Sequence, residues 1–127
     1  MFRAILSAAI VFVALQSQAA KSEISGEVTL AKGVTLKPGG VLFVMAKESG
    51  KPMPVAVFRQ VEPKFPQKFT LSAEHAMIAG TPFKGAYQIS ARYSPTGDAM
   101  DKSGPEGAEA KPVDVGRGDL RIELKGK

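Results

Sequence analysis

Beyond residue 20 the hydrophobic and polar positions of this chain alternate in short runs broken by glycine and proline. In Ile24-Ser25-Gly26-Glu27-Val28-Thr29-Leu30, the side chains of Ile24, Val28 and Leu30 share one face while Ser25, Glu27 and Thr29 share the other. That period of two is the mark of a half-buried strand. Val41 to Lys47 is apolar on both faces, as a central sandwich strand would be, and Pro54 to Val61 follows after a Glu48-Ser49-Gly50-Lys51-Pro52 turn, so the two are expected to form a hairpin. Glu62-Pro63-Lys64-Phe65-Pro66 is a stiff connector, because each proline fixes φ and removes a backbone donor.

Gln67 to Leu71 alternates again, with Phe69 and Leu71 inward. Ser72 to Ala79 is the one stretch with helical character, with Ser72 as its N-cap and Gly80 as its stop. Ala86 to Tyr93 places Tyr87, Ile89, Ala91 and Tyr93 on one face, and Ser94-Pro95-Thr96-Gly97-Asp98 has turn chemistry. Ala99 to Ala110 reads as the longest loop, and Pro112 to Leu124 as a closing hairpin turning at Gly116-Arg117-Gly118-Asp119. About seven strands joined by turns predict an all-β chain, an immunoglobulin-like antiparallel β-sandwich without the Cys and Trp marks of antibody domains. A small open barrel would give a similar string, and periodicity does not separate the two.

The first residues break this rhythm. Arg3 precedes an apolar stretch from Ala4 to Leu15, and Ser17 and Ala19 are small residues at the −3 and −1 places before Ala20. The pattern predicts a signal peptide over 1–19 and a β-sandwich domain over 20–127, with its core at 24–124. The apolar run is well short of the roughly 20 residues that span a bilayer, so no stable membrane anchor is expected after cleavage. The mature protein is then periplasmic or secreted.

Composition narrows the chemistry. Of 127 residues, 44% are hydrophobic, none is Cys or Trp and one is His, which excludes disulfides, thiolate catalysis and Cys-ligated metals. Removal of Arg3 takes the formal charge from +5 to +4. The lysines are spread singly, with no aromatic–basic interleaving, so no nucleic-acid partner is expected. Serines face a single imidazole and no nucleophile-elbow motif is present, so the chain reads as no enzyme, with no catalytic residues and no cofactor. Asp98 and Asp101 read as turn formers.

Three groups of residues remain as candidates. His75 and Met77 could hold copper(I) through an imidazole and a soft thioether, although the residue pattern itself calls for no metal. Arg59 and Arg92 lie on strands and could grip a peptide's carboxylate or backbone. Arg117-Gly118-Asp119 spells an adhesion tripeptide, but between short strands it reads as a turn.

Val28-Thr29-Leu30, Leu42 to Lys47, Met53 to Val57 with Arg59, Phe69-Thr70-Leu71, Ala76-Met77, Ala91-Arg92 and Gly97-Asp98-Ala99 occur in that order. Together, over roughly Ile24 to Leu124, they resemble the C-terminal periplasmic Ig-like domain of the CycH-type cytochrome c biogenesis proteins. The resemblance differs at Lys47, where the family usually has Arg, and at Gly104-Pro105-Glu106-Gly107, where it has an acidic Gly-Asp-Leu word. In that family the domain follows membrane spans and helical repeats, and the whole protein escorts apocytochrome c to the haem-ligation machinery. For this chain the resemblance implies an exported accessory module related to cytochrome c maturation. Its partner would be a protein or extended peptide, apocytochrome c or a maturation subunit. The alternatives are a periplasmic copper-binding protein using His75 and Met77, and a structural Ig-like domain unrelated to cytochromes.

Overall fold

Each alternating run becomes a strand because only stacking its apolar face on another sheet removes that face from water. In the computed structural model, which describes residues 22–126, the strands are β1 (Glu23–Leu30), β2 (Val41–Lys47), β3 (Pro54–Val61), β4 (Gln67–Ser72), β5 (Ala86–Ser94), β6 (Glu106–Ala108), β7 (Val113–Asp114) and β8 (Leu120–Leu124). The segment expected as a signal peptide lies outside the described residues. One sheet has the order β4-β1-β8; the other runs β3-β2-β5-β6, with β7 also paired to β5. The chain is all-β, as the alternation predicts, and its two sheets make it the Ig-like sandwich and not the small open barrel.

The core lies between the sheets. Ile24 and Val28 of β1, Leu42, Val44 and Ala46 of β2, Ile89 and Ala91 of β5, and Ile122 and Leu124 of β8 are all buried there. Full burial of one such large aliphatic side chain is worth about 1.5–3 kcal/mol. On the opposite face of β2, Val41 and Phe43 are buried too. The segment after β5 folds back over them: Gly97 lies against Val41, and Arg92 Nη2 donates to the Ala99 carbonyl at 2.8 Å.

Three expectations need correction. The closing hairpin does not form: β7 pairs with β5, through Ala86↔Asp114 and Tyr87↔Val113, while β8 runs parallel to β1, from Gly26↔Leu120 to Leu30↔Leu124. Residues 115–119 therefore carry the chain from one sheet to the other. The polar stretch Ala99 to Ala110 is not all loop, because β6 pairs there with β5 and joins β8 through a Glu106↔Lys125 bridge. The stretch from Ser72 makes only a single 3-10 turn, Ala73–His75. Ser72 caps it as expected, but Ala76 is already extended (φ −63, ψ 140). The chain leaves the helix because Ala76 bridges to Ala56 and the Met77 N–H donates to the Val55 carbonyl at 2.8 Å. So short a helix has little stability of its own to set against those tertiary bonds.

Tyr93 ties the entry of β2 to the exit of β5. Its hydroxyl accepts from the Gly40 N–H at 3.0 Å and donates to the Lys37 carbonyl. Tyr93→Phe keeps the buried ring but orphans the buried Gly40 donor, which should cost about 1–3 kcal/mol. Urea unfolding checks this, and the same midpoint as wild type would show that the hydroxyl carries no such load.

Candidate functional site: an apolar cleft beside the β3 edge

The two sides of the sandwich are finished differently. On the β6/β8 side, reciprocal bonds between Glu106 and Lys125 (3.2 and 3.0 Å) join the sheets. On the other side β3 and β4 are edges of their sheets. Phe58 fills the gap between them, its ring 6.3 Å from that of Phe69 and 6.0 Å from that of His75. Ala76, through its bridge to Ala56, and Met77, through its N–H bond to Val55, strap the first half of the β3 edge.

Between that strap and the β2–β3 turn lies a cleft of about 300 Å³, lined by Pro52, Met53, Pro54, Val55, Met77 and Ile78. Five large apolar side chains are strongly exposed among the described residues, and Met53, Met77 and Ile78 are three of them, at 69%, 57% and 74%. Scattered exposed apolar residues need no explanation, but a contiguous cluster marks a contact surface. Glu48 and Lys51 form the polar rim and pair with each other at 3.3 Å, an exposed bridge that contributes little. Unbranched thioethers adapt to the side chain they meet, so the chemistry offered is accommodation of an apolar group.

The two members of the proposed copper pair make different contacts. His75 Nδ1 accepts from the Ser72 N–H at 3.1 Å, which leaves the proton of a neutral ring on Nε2. The ring is tilted at 56° to that of Phe58 and takes no part in lining the cleft, whereas Met77 lines it together with Met53. Among the described residues no group of three or more His, Cys, Asp or Glu could hold a metal ion.

Arg59 and Arg92 do share a surface. Both are register partners of Phe43, one on each neighbouring strand, so they flank it on the outer face of the β3-β2-β5 sheet. Arg59 is exposed and makes no hydrogen bond or ion pair among the described residues. Arg92 is engaged with Ala99, and its buried Nε has no hydrogen-bond partner.

Arg117 and Asp119 bond to each other at 2.9 Å on the exposed connector. That bond and the attraction of opposite charges lower the Asp119 pKa and raise that of Arg117. A larger polar hollow, about 460 Å³ and lined by Ser25, Glu27, Lys68, Thr70, Asp119 and Arg121 among others, covers the outer face of β1. Its Glu27 is already paired with Arg121 at 3.1 Å, which makes it a solvated strand face.

Asp98 and Asp101 order the loop after β5. Asp98 accepts from the Met100 N–H at 2.9 Å. Asp101 accepts from the Ser103 hydroxyl at 2.7 Å, the Ser103 N–H at 2.9 Å and the Thr96 hydroxyl at 2.8 Å. These bonds, Ser103's first, lower the Asp101 pKa from 3.8 to about 2. A depressed carboxylate contributes stability that is present above its unfolded pKa and lost as pH falls through the folded one. Asp101→Asn should therefore flatten the loss of Tm between about pH 4 and pH 2. A Tm profile that keeps the wild-type slope there would remove Asp101 as its source.

Sequence reasoning missed the cleft. In the sequence Met53 belongs only to the Met53 to Val57 word and Ile78 only to the helical stretch from Ser72 to Ala79, so nothing brings the two together. The available signal was apolar residues at 77–78 with no periodic partner, just before Gly80 and Pro82.

Residues 24–125 match the family model of the cytochrome c-type biogenesis protein H Ig-like domain. No curated protein matches the sequence significantly. Among solved structures, the alternative pilotin from the type II secretion system of Vibrio cholerae is similar in fold, with a TM-score of 0.51 and 17% identity over 83% of this chain and 96% of that one.

Proposed function

The chain belongs to the family of the cytochrome c-type biogenesis protein H Ig-like domain, and from that premise we propose that it is an exported accessory module that binds protein during cytochrome c maturation. Its partner is unfolded apocytochrome c or a subunit of the haem-ligation machinery, held through apolar side chains that enter the Met53–Met77–Ile78 cleft. The cleft is the observation that carries the reading, because it gathers exposed apolar side chains where the fold itself has no use for them. Among the described residues no helix is long and apolar enough to cross a membrane, in keeping with a module that meets its partner by docking. The same architecture occurs in the alternative pilotin of a type II secretion system.

Protein expressed from the full sequence, recovered from the periplasm and titrated against unfolded apocytochrome c and against purified ligation subunits, should bind at least one of them. Binding to none of them would end this reading.

A further inference from the structure

The partner's chemistry can be specified further from the sheet face that adjoins the cleft, an inference that rests on the protein-binding reading above. The cleft ends at Pro54, the register partner of Lys47. One rung further along the sheet, Met45 lies between Val57 of β3 and Ser90 of β5, and Ala108 of β6 stands beside Ser90. Met45 and Val57 are half-buried and form the apolar floor of this face. The rung beyond holds Arg59, Phe43 and Arg92. Cations therefore bracket Met45 and Val57 along the strand axes, Lys47 on one side and Arg59 with Arg92 on the other.

Two features set this arrangement apart from an ordinary solvated face. Lys47 lies on β2, a central strand, so its charge does not guard an exposed edge as strand-edge lysines do. Lys47 and Arg59 also make no ion pair or hydrogen bond among the described residues, so no described partner offsets their charge. Of the carboxylates in these segments, Glu48 bonds Lys51, and Glu106 stands beside Arg92 as its register partner on β6. A groove of about 330 Å³, bordered by Met45, Lys47, Ser90, Arg92 and Glu106, opens on this face, with Glu106 as the one carboxylate of its lining against the two cations.

We propose that this face receives an acidic–apolar stretch of the partner polypeptide. An apolar side chain packs on Met45 and Val57, and carboxylates meet Lys47 and Arg59. Two residues rise about 6.6–6.8 Å along a strand, so the two cationic rungs are about 13 Å apart. An extended segment with acidic residues at i and i+4 and an apolar residue at i+2 has the matching spacing.

The test uses two labelled peptides of equal length, one carrying Glu-Ser-Leu-Ser-Glu and the other Lys-Ser-Leu-Ser-Lys, followed by fluorescence anisotropy. Wild type should bind the acidic peptide at least about tenfold more tightly, and added salt should weaken that binding, because exposed charges are screened within about 10 Å at 0.1 M. Lys47→Glu with Arg59→Glu should abolish or invert the preference. Near-ultraviolet circular dichroism and Tm of the double variant should match wild type, because neither side chain has a partner among the described residues. Equal binding of the two peptides, binding of neither, or a preference that survives the double reversal would each overturn the proposal. Capture of apocytochrome c and ligation subunits is read in parallel. Its failure with wild type removes the maturation reading and leaves the peptide preference standing. Capture that survives the double reversal removes only the acidic-partner inference.

Discussion

Gly26→Ala is expected to lower stability by about 3–5 kcal/mol, as overpacking against rigid backbone does. Gly26 sits at the centre of β1, on the same inward face as Ile24 and Val28, where its register partner in the parallel pair is Leu120. A Cβ at this position would lie 2.1 Å from the Leu120 carbonyl oxygen and 2.7 Å from the Leu120 Cβ. No rotamer relieves such a contact, because the oxygen belongs to the main chain of β8. The strand would have to move away, and β8 brings the buried Leu120, Ile122 and Leu124 to the core. Domains of this size are stable by only about 5–15 kcal/mol, so a Tm fall of more than roughly 12 °C is expected. Gly118→Ala is the control: its Cβ would meet only Ser25 Oγ, at 3.5 Å, and the change should stay within about 0.5 kcal/mol. Equal melting of the two variants would mean that β8 does not pack on β1 as described.

The second large effect concerns binding and leaves the fold alone. Met77→Asp combined with Ile78→Asp should weaken partner binding by about 100-fold or more. Burial of each apolar side chain in a complex is worth about 1.5–3 kcal/mol, and 1.4 kcal/mol corresponds to tenfold in affinity. Since both side chains are more than half exposed in the free protein, replacing them should change stability by no more than about 0.5 kcal/mol. The Met77 N–H bond to Val55 is a main-chain bond and survives the substitution. Calorimetry with the partner, beside a urea melt of each protein, separates the two quantities. A folded double variant with undiminished affinity would remove the cleft from the binding surface.

What the sequence discloses follows from the range over which each feature is encoded. Strands β1 to β5 were legible because period-two alternation is local, and the β2–β3 hairpin was legible because a turn-rich segment joins two adjacent runs. The Ser72 cap was legible for the same reason. Strand partners further apart were not: nothing within Val113–Asp114 says that it pairs with Ala86 and Tyr87, and nothing in Leu120–Leu124 says that it lies parallel to β1. Strand β6 was hidden by its own composition, since Glu106, Gly107 and Ala108 carry no apolar alternation. Its place is fixed by β5 and Lys125. Helical character after Ser72 gave way to a bridge with Ala56, a residue in an earlier hairpin.

The candidate sites divide in the same way. Arg59 and Arg92 could be placed on strands from the sequence, but only the registers put both beside Phe43 on one face. His75 and Met77 look like neighbours in the sequence, yet the ring contacts Ser72 and Phe58 while Met77 lines the cleft with Met53. The cleft is built from two segments more than twenty residues apart in numbering, around Met53 and around Met77, so no local pattern could announce it.

Site-specific photo-crosslinking during export tests the central claim most directly. A photoreactive residue at Ile78, in the cleft, is compared with one at Met100, equally exposed at 76% but on the loop after β5. The account predicts adducts with apocytochrome c or a haem-ligation subunit from position 78 and essentially none from position 100. Equal yields from both positions, or adducts from position 100 alone, would contradict it.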